Sequence, residues 1–344
     1  MIDVRRQHTI ARREWLWVAL WALILLGTAN VPVLLGWAIS DAEMQFGGSV
    51  YNVEDVNSYL ANMRQGARGA WRYTNPYTPE DHPPTIVVYL HYLLLGKLAA
   101  ATGLSLEITY NLARLLCGAL LLGAVYAWIA HWSPTIAVRR IAFLLIAPSG
   151  GLGWLTMLFG RGQWLGSPPL DMLSPEAYVF LTLYTPPHLA LATAGVLLGT
   201  LWVHRACCRT NDATRLTWHA HVGPALAGGA ALALVAQVGA FYLVAPAAVL
   251  GLDWILTTIR RRRPNWRALA LTALAGALPA PLVFYTYWLF TSEPIYHAWS
   301  AQNQIRSLHP LHYLAGYTVL GSLALLGLLA ARRRGRTLPS LPLA

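Results

Sequence analysis

Apolar runs long enough to cross a bilayer recur along the whole chain, and this constrains the fold more than any motif does. The segments fall near residues 15–38, 84–102, 108–131, 141–160, 177–203, 222–238, 240–258, 268–291 and 311–331. A helix needs roughly 20 apolar residues to span the hydrocarbon core. Only 11% of the 344 residues are charged, and the mean hydropathy is +0.45. A soluble domain carries about 25% charged residues, so this chain has too little polar surface for a water-exposed globule. The runs are continuous rather than alternating, which argues for helices over a β-barrel. The expected fold class is an all-α polytopic membrane protein.

The net charge of +11 does not point to nucleic acid. The basic residues sit in short clusters beside apolar runs, the pattern that orients membrane helices. With Arg5, Arg6, Arg12 and Arg13 inside, nine crossings would place Arg139, Arg140, Arg205, Arg209, Arg215 and Arg260 to Arg263 outside. Removing one crossing repairs every violation. Segment 84–102 is the one to remove, because it contains His91 and Lys97 and follows His82-Pro83. It reads as a helix lying on the outer leaflet, with Pro84 suited to its first turn.

Eight spans remain, with both termini cytoplasmic, in a single transmembrane domain covering residues 1–344. The first span is 15–38. An outer loop, 39–107, carries surface helices at 53–66 and 84–102. Seven further spans fill 108–331, and 332–344 is a cytoplasmic tail. Most acidic residues then fall outside, among them Glu54, Asp55, Glu80, Asp81, Asp171 and Glu176. Any chemistry is expected on that face. The tryptophans, Trp299 included, fall near span ends as an interfacial belt.

Within the outer loop, Asn52 is placed to cap a helix on which Val56, Tyr59, Leu60 and Met63 share a face. Glu54 and Asp55 either serve the dipole of that first turn or supply a general base whose pKa is raised by desolvation. Pro148 to Trp154, rich in glycine, reads as a packing or kink element. His188 lies below the outer surface, where an ionisable group is a functional candidate by default. The last outer loop groups Arg306 with Gln302, Asn303, His297 and His309, a set of donors suited to a phosphate. Cys117, Cys207 and Cys208 show no disulfide or metal spacing.

An acidic pair before a helix, then His-Pro-Pro, then an Arg at the head of the next span resembles the GT-C membrane glycosyltransferases. It is similar to the protein O-mannosyltransferase and aminoarabinose-transferase-like branch. The matching residues read Glu54-Asp55, His82-Pro83-Pro84-Thr85 with Gly96-Lys97 displaced, and Asn111-Leu112-Ala113-Arg114. The acidic order is inverted relative to the family, and the match is best over 15–131.

The resemblance implies an inverting sugar transfer from a polyprenyl-phosphate donor to a glycan, lipid or protein acceptor at the outer face of a cell membrane. It implies no organic cofactor and at most a weak link to a divalent cation. Asp55, or its neighbour Glu54, would be the base. Arg306, Arg114 and His82 would steady the departing phosphate, with His188, Tyr59 and Asn303 as further substrate contacts. Two other readings stay open: a non-catalytic polyprenyl-lipid-binding or assembly subunit of the same fold, and a secondary transporter, against which the lack of an internal repeat counts.

Overall fold

The computed structural model describes residues 9–160, 162–209, 217–302 and 306–333. Its helices, in chain order, are α1 (Arg12–Ala38), α2 (Val53–Ala67), α3 (Leu90–Thr102), α4 (Leu106–Trp132), α5 (Ile136–Ile146), α6 (Trp154–Leu158), α7 (Leu170–Leu173) and α8 (Val179–Tyr184). There follow α9 (Pro187–Cys208), α10 (Gly223–Val238), α11 (Val244–Arg261), α12 (Trp266–Ala277), α13 (Ala280–Ser292), α14 (Pro294–Gln302) and α15 (Pro310–Arg333). Among the described residues β-structure is confined to two isolated bridges, Tyr73 with Thr85 and Trp164 with Ser167.

Six helical segments are long and apolar enough to cross a membrane: Arg12–Ala38, Leu106–Trp132, Pro187–Cys208, Trp218–Val238, Ala240–Arg261 and Pro310–Arg333. A seventh is available if α12 and α13, bent by 51°, form one span. The chain is therefore an all-α multi-pass membrane protein. The sequence suggested eight spans, and the difference lies at 141–160. There α5 starts earlier, at Ile136, and stops at Ile146. Pro148 and the glycines that follow interrupt the helix until the short α6. This stretch still links the two ends of the bundle. Arg139 bonds Glu14 near the start of α1, while the Gly151 backbone packs on Gly316 near the start of α15. The glycines thus serve close approach and interruption: a Cβ on Gly153 would lie 2.0 Å from Asp171 Oδ1, and the Gly153 N–H donates to Asp171 Oδ2 at 3.0 Å.

One hydrophobic core joins α1, α4, α5, α8 and α9 through residues such as Val18, Ala29, Leu121, Tyr126, Phe143 and Leu183. Arg114 is set into this bundle with only 3% of its surface exposed. Its guanidinium donates to Asn111 Oδ1, to Leu183 O at 2.9 Å and to Asn30 Oδ1. It clamps α1, α4 and the end of α8 together.

Helices α2 and α3 lie against the end of the bundle where α1 ends and α4 begins. Val56, Met63, Tyr92 and Tyr110 form their shared core. The 13 residues of α3 extend about 20 Å at 1.5 Å per residue, short of the ~30 Å hydrocarbon thickness. This length agrees with a helix that does not cross. It begins at Leu90 rather than at the prolines, because Thr85, directly after them, exchanges both backbone hydrogen bonds with Tyr73 and closes the loop between the two.

The two helices touch backbone to backbone at Gly66 and Gly96. A Cβ on Gly96 would sit 1.8 Å from Met63 O, and one on Gly66 would sit 2.0 Å from Leu93 O. The obstacle is main chain in both cases, so the helices themselves must separate. Gly96→Ala is expected to cost about 1–3 kcal/mol as an overpacking change. Gly27→Ala, with nothing within 4 Å of the new methyl, should stay within about 0.5 kcal/mol. Thermal unfolding of the two variants in detergent checks this. Equal melting temperatures would mean that the crossing is not close.

Candidate functional site

The polar loop after α2 is folded onto that helix by side chains acting as backbone partners. Gln65 donates to Thr74 O at 2.8 Å and accepts from the Thr74 N–H at 3.2 Å, so its amide stands in for a strand residue. His82 closes the next turn. Its Nε2 accepts from the Asn75 N–H at 2.9 Å, and its Nδ1 lies 2.8 Å from Glu80 O. An imidazole that accepts at Nε2 can present an N–H at Nδ1, here toward Glu80 O. His82 is thereby committed to the loop, and neither ring nitrogen is left for a phosphate. From the far side Tyr296 donates to Pro83 O at 3.3 Å, and Gln237 of α10 donates to Ile86 O at 2.8 Å.

Between this loop, α2 and α14 lies a cavity of about 510 Å³. Asp55 reaches it from the first turn of α2 and Glu80 from the loop. Four tyrosines, Tyr59, Tyr73, Tyr77 and Tyr89, line it, and Trp299 of α14 completes the wall. Tyr89 is the hub of these rings. Its centroid lies 5.1 Å from that of Tyr73, 5.8 Å from Tyr59 and 6.0 Å from Trp299. It also holds a positive φ of 56° at the start of α3. That conformation is costly for a bulky side chain, so the surrounding packing must enforce it. Burial first, then the nearby Asp55 charge, pushes the Tyr89 phenol up to about 12.

Asn52 does not cap α2 as expected. It sits in the left-handed region at φ 52°, and its amide instead donates to the Asp55 carboxylate. The Asp55 pKa is raised above the ordinary value. Desolvation is the main cause and the Glu54 charge adds to it, while the Asn52 hydrogen bond opposes both. A raised carboxylate beside a cavity can accept a proton from a bound hydroxyl.

Of the residues singled out in the sequence, Asp55 and Tyr59 line this cavity. Glu54 is exposed beside it, outside the lining. Arg114 lies within the helix bundle, each of its guanidinium nitrogens engaged as described. His188 packs behind the wall: its Nδ1 is 2.7 Å from the Tyr92 hydroxyl, and its ring meets Tyr59 edge-on at 5.2 Å. Arg306 is exposed and is not part of the lining. Asn303 lies outside the described residues. Asn62, Glu80, Tyr89 and Trp299 were not singled out as site residues from the sequence. Asn62 carried a readable signal, being a polar residue one turn beyond Tyr59 on the side of α2 that packs inward.

Among the described residues no group of three or more His, Cys, Asp or Glu is placed to hold a metal ion. Comparison with protein-family models, with curated proteins and with solved structures finds no match. Fold and site together define a helical multi-pass membrane protein with an acidic, aromatic-lined cavity at one end of its bundle.

Proposed function

We propose that this chain is a GT-C-type glycosyltransferase of the cell membrane. It moves a sugar from a polyprenyl-phosphate donor to an acceptor bound at the outer face, with both termini cytoplasmic. Asp55 takes the acceptor's hydroxyl proton, the oxygen attacks the anomeric carbon with inversion, and the lipid phosphate departs. The observation that carries this reading is the position of Asp55. It stands in the first turn of a helix packed on the bundle end and lines a cavity of about 510 Å³ with tyrosine and tryptophan rings. Aromatic faces beside carboxylates and amides suit the apolar faces and hydroxyl edges of a sugar or polyol.

One observation favours a second reading, a lipid-binding subunit without turnover. No Lys, Arg or His is among the described residues lining the cavity, so nothing there steadies a departing phosphate. In the first reading that task falls to a cation outside the lining, and Arg306, four residues beyond the lining Gln302, is our choice for it. The deciding experiment gives the purified full chain a labelled polyprenyl-phosphate sugar and a mixture of acceptors. Release of polyprenyl phosphate with label transferred supports the transferase. Saturable binding without release supports the second reading, and the absence of both binding and release leaves neither reading standing.

A further inference from the structure

The cavity has an electrostatic character that sugar transfer alone does not require. Its charged lining groups, among the described residues, are two carboxylates, Asp55 and Glu80, with no basic side chain beside them. Its apolar lining is mainly aromatic, with Ile295 and Ala298 beside the rings, and the Tyr89 ring lies about 6 Å from both Tyr59 and Trp299. Ring faces carry negative potential and attract a cation placed over them. An anion would meet both carboxylates and no cationic side chain among the described lining residues.

A second, independent feature points to a ligand. Asn62 lines the same cavity and is 1% exposed. Its Oδ1 has no hydrogen-bond partner. A buried acceptor left unmade costs about 1–3 kcal/mol, and a donor entering from the cavity would relieve it. Carboxylates, ring faces and an unmet carbonyl are all complementary to the same chemistry, a positively charged group with a donor nearby.

We propose that this cavity binds an organic ammonium group carried beside a hydroxyl, with the rings and the two carboxylates facing the cation. As a binding site this stands independently of the transferase reading. The identification of that ligand as the acceptor, an amine-bearing alcohol, rests on it. The hydroxyl then lies where Asp55 can reach its proton, and the cation fixes which hydroxyl is presented.

Choline is a suitable probe, since it pairs a quaternary ammonium with a hydroxyl. Its neutral isostere, 3,3-dimethyl-1-butanol, differs only by carbon in place of nitrogen. The full chain in an uncharged polyoxyethylene detergent is titrated with each by calorimetry. Choline is expected to bind at least tenfold more tightly than the isostere, and Glu80→Gln to weaken choline fivefold or more while leaving the isostere unchanged. Equal affinity for the two probes in the unmodified chain, or no binding of choline, overturns the proposal whatever the folding of the variant. Retained choline affinity in a folded Glu80→Gln variant also counts against it. Sugar transfer is measured separately, so a chain that transfers sugar but ignores choline, or the reverse, separates the two inferences.

Discussion

Asp55→Asn is expected to lower sugar transfer by about 10² to 10⁴-fold, the range that general base catalysis supplies, while Glu54→Gln stays within about threefold. The two acids are adjacent in sequence, but only Asp55 lines the cavity. The substitution keeps the shape of the side chain and removes the proton acceptor. The pH profile gives a second readout. Asp55 acts only when ionised, so the rate must rise with pH as its proton is lost. Burial and Glu54 raise its pKa, which moves this acid limb above that of an ordinary aspartate. Glu54→Gln removes the second of those causes and should shift the limb to lower pH without reducing the plateau. An unchanged rate in a folded Asp55→Asn protein would remove Asp55 from the chemistry.

Much of this site could not be seen in the sequence, for reasons that differ by residue. Helix α2 was legible because Val56, Tyr59 and Met63 follow a 3.6-residue period, and the structure gives it one residue more than expected. The start of α3 was not, because the bridge between Tyr73 and Thr85 overrides the helix-starting preference of the prolines. Trp299 passes for a membrane-interface tryptophan, and only the packing of α14 against Tyr89 brings it into the cavity. Arg114 carries a charge near a span end, which suggests a phosphate partner. Besides Asn111 on its own helix, its actual partners are Asn30 and the Leu183 carbonyl, 84 and 69 residues away, which no local pattern announces. Long apolar periodicity reports burial in a bilayer. It says little about which polar side chains meet within the folded bundle.

The same limit applies at the other end of the bundle, where the largest stability effect is expected. Arg139 and Arg140 entered the topology argument as an equivalent basic pair. In the structure Arg140 lies over the Trp17 ring, 5.1 Å from its centroid, whereas Arg139 is 2% exposed and bonded to Glu14, itself 2% exposed. Arg139 Nη1 lies 2.9 Å from Glu14 Oε2 and 3.2 Å from Oε1. The Tyr126 hydroxyl donates to Oε2 at 2.7 Å, the Ala11 N–H donates to Oε1 at 3.0 Å, and Arg139 Nε donates to Ser133 O at 2.7 Å. Both Glu14 carboxylate oxygens and the Arg139 Nε and Nη1 are thus met, and α1, α4 and α5 are joined through the pair. Glu14→Met leaves a buried guanidinium without its counter-charge and should cost about 3–5 kcal/mol, as should Arg139→Met. The double change to Glu14→Met with Arg139→Met removes both charges and keeps volume in the core. It should therefore be less destabilising than either single variant, with a coupling energy above about 1 kcal/mol between the two sites. Denaturant or thermal unfolding of the four proteins in one detergent measures this. Simple additivity would show that the two charges are separately solvated and that α1 is held by its apolar face alone.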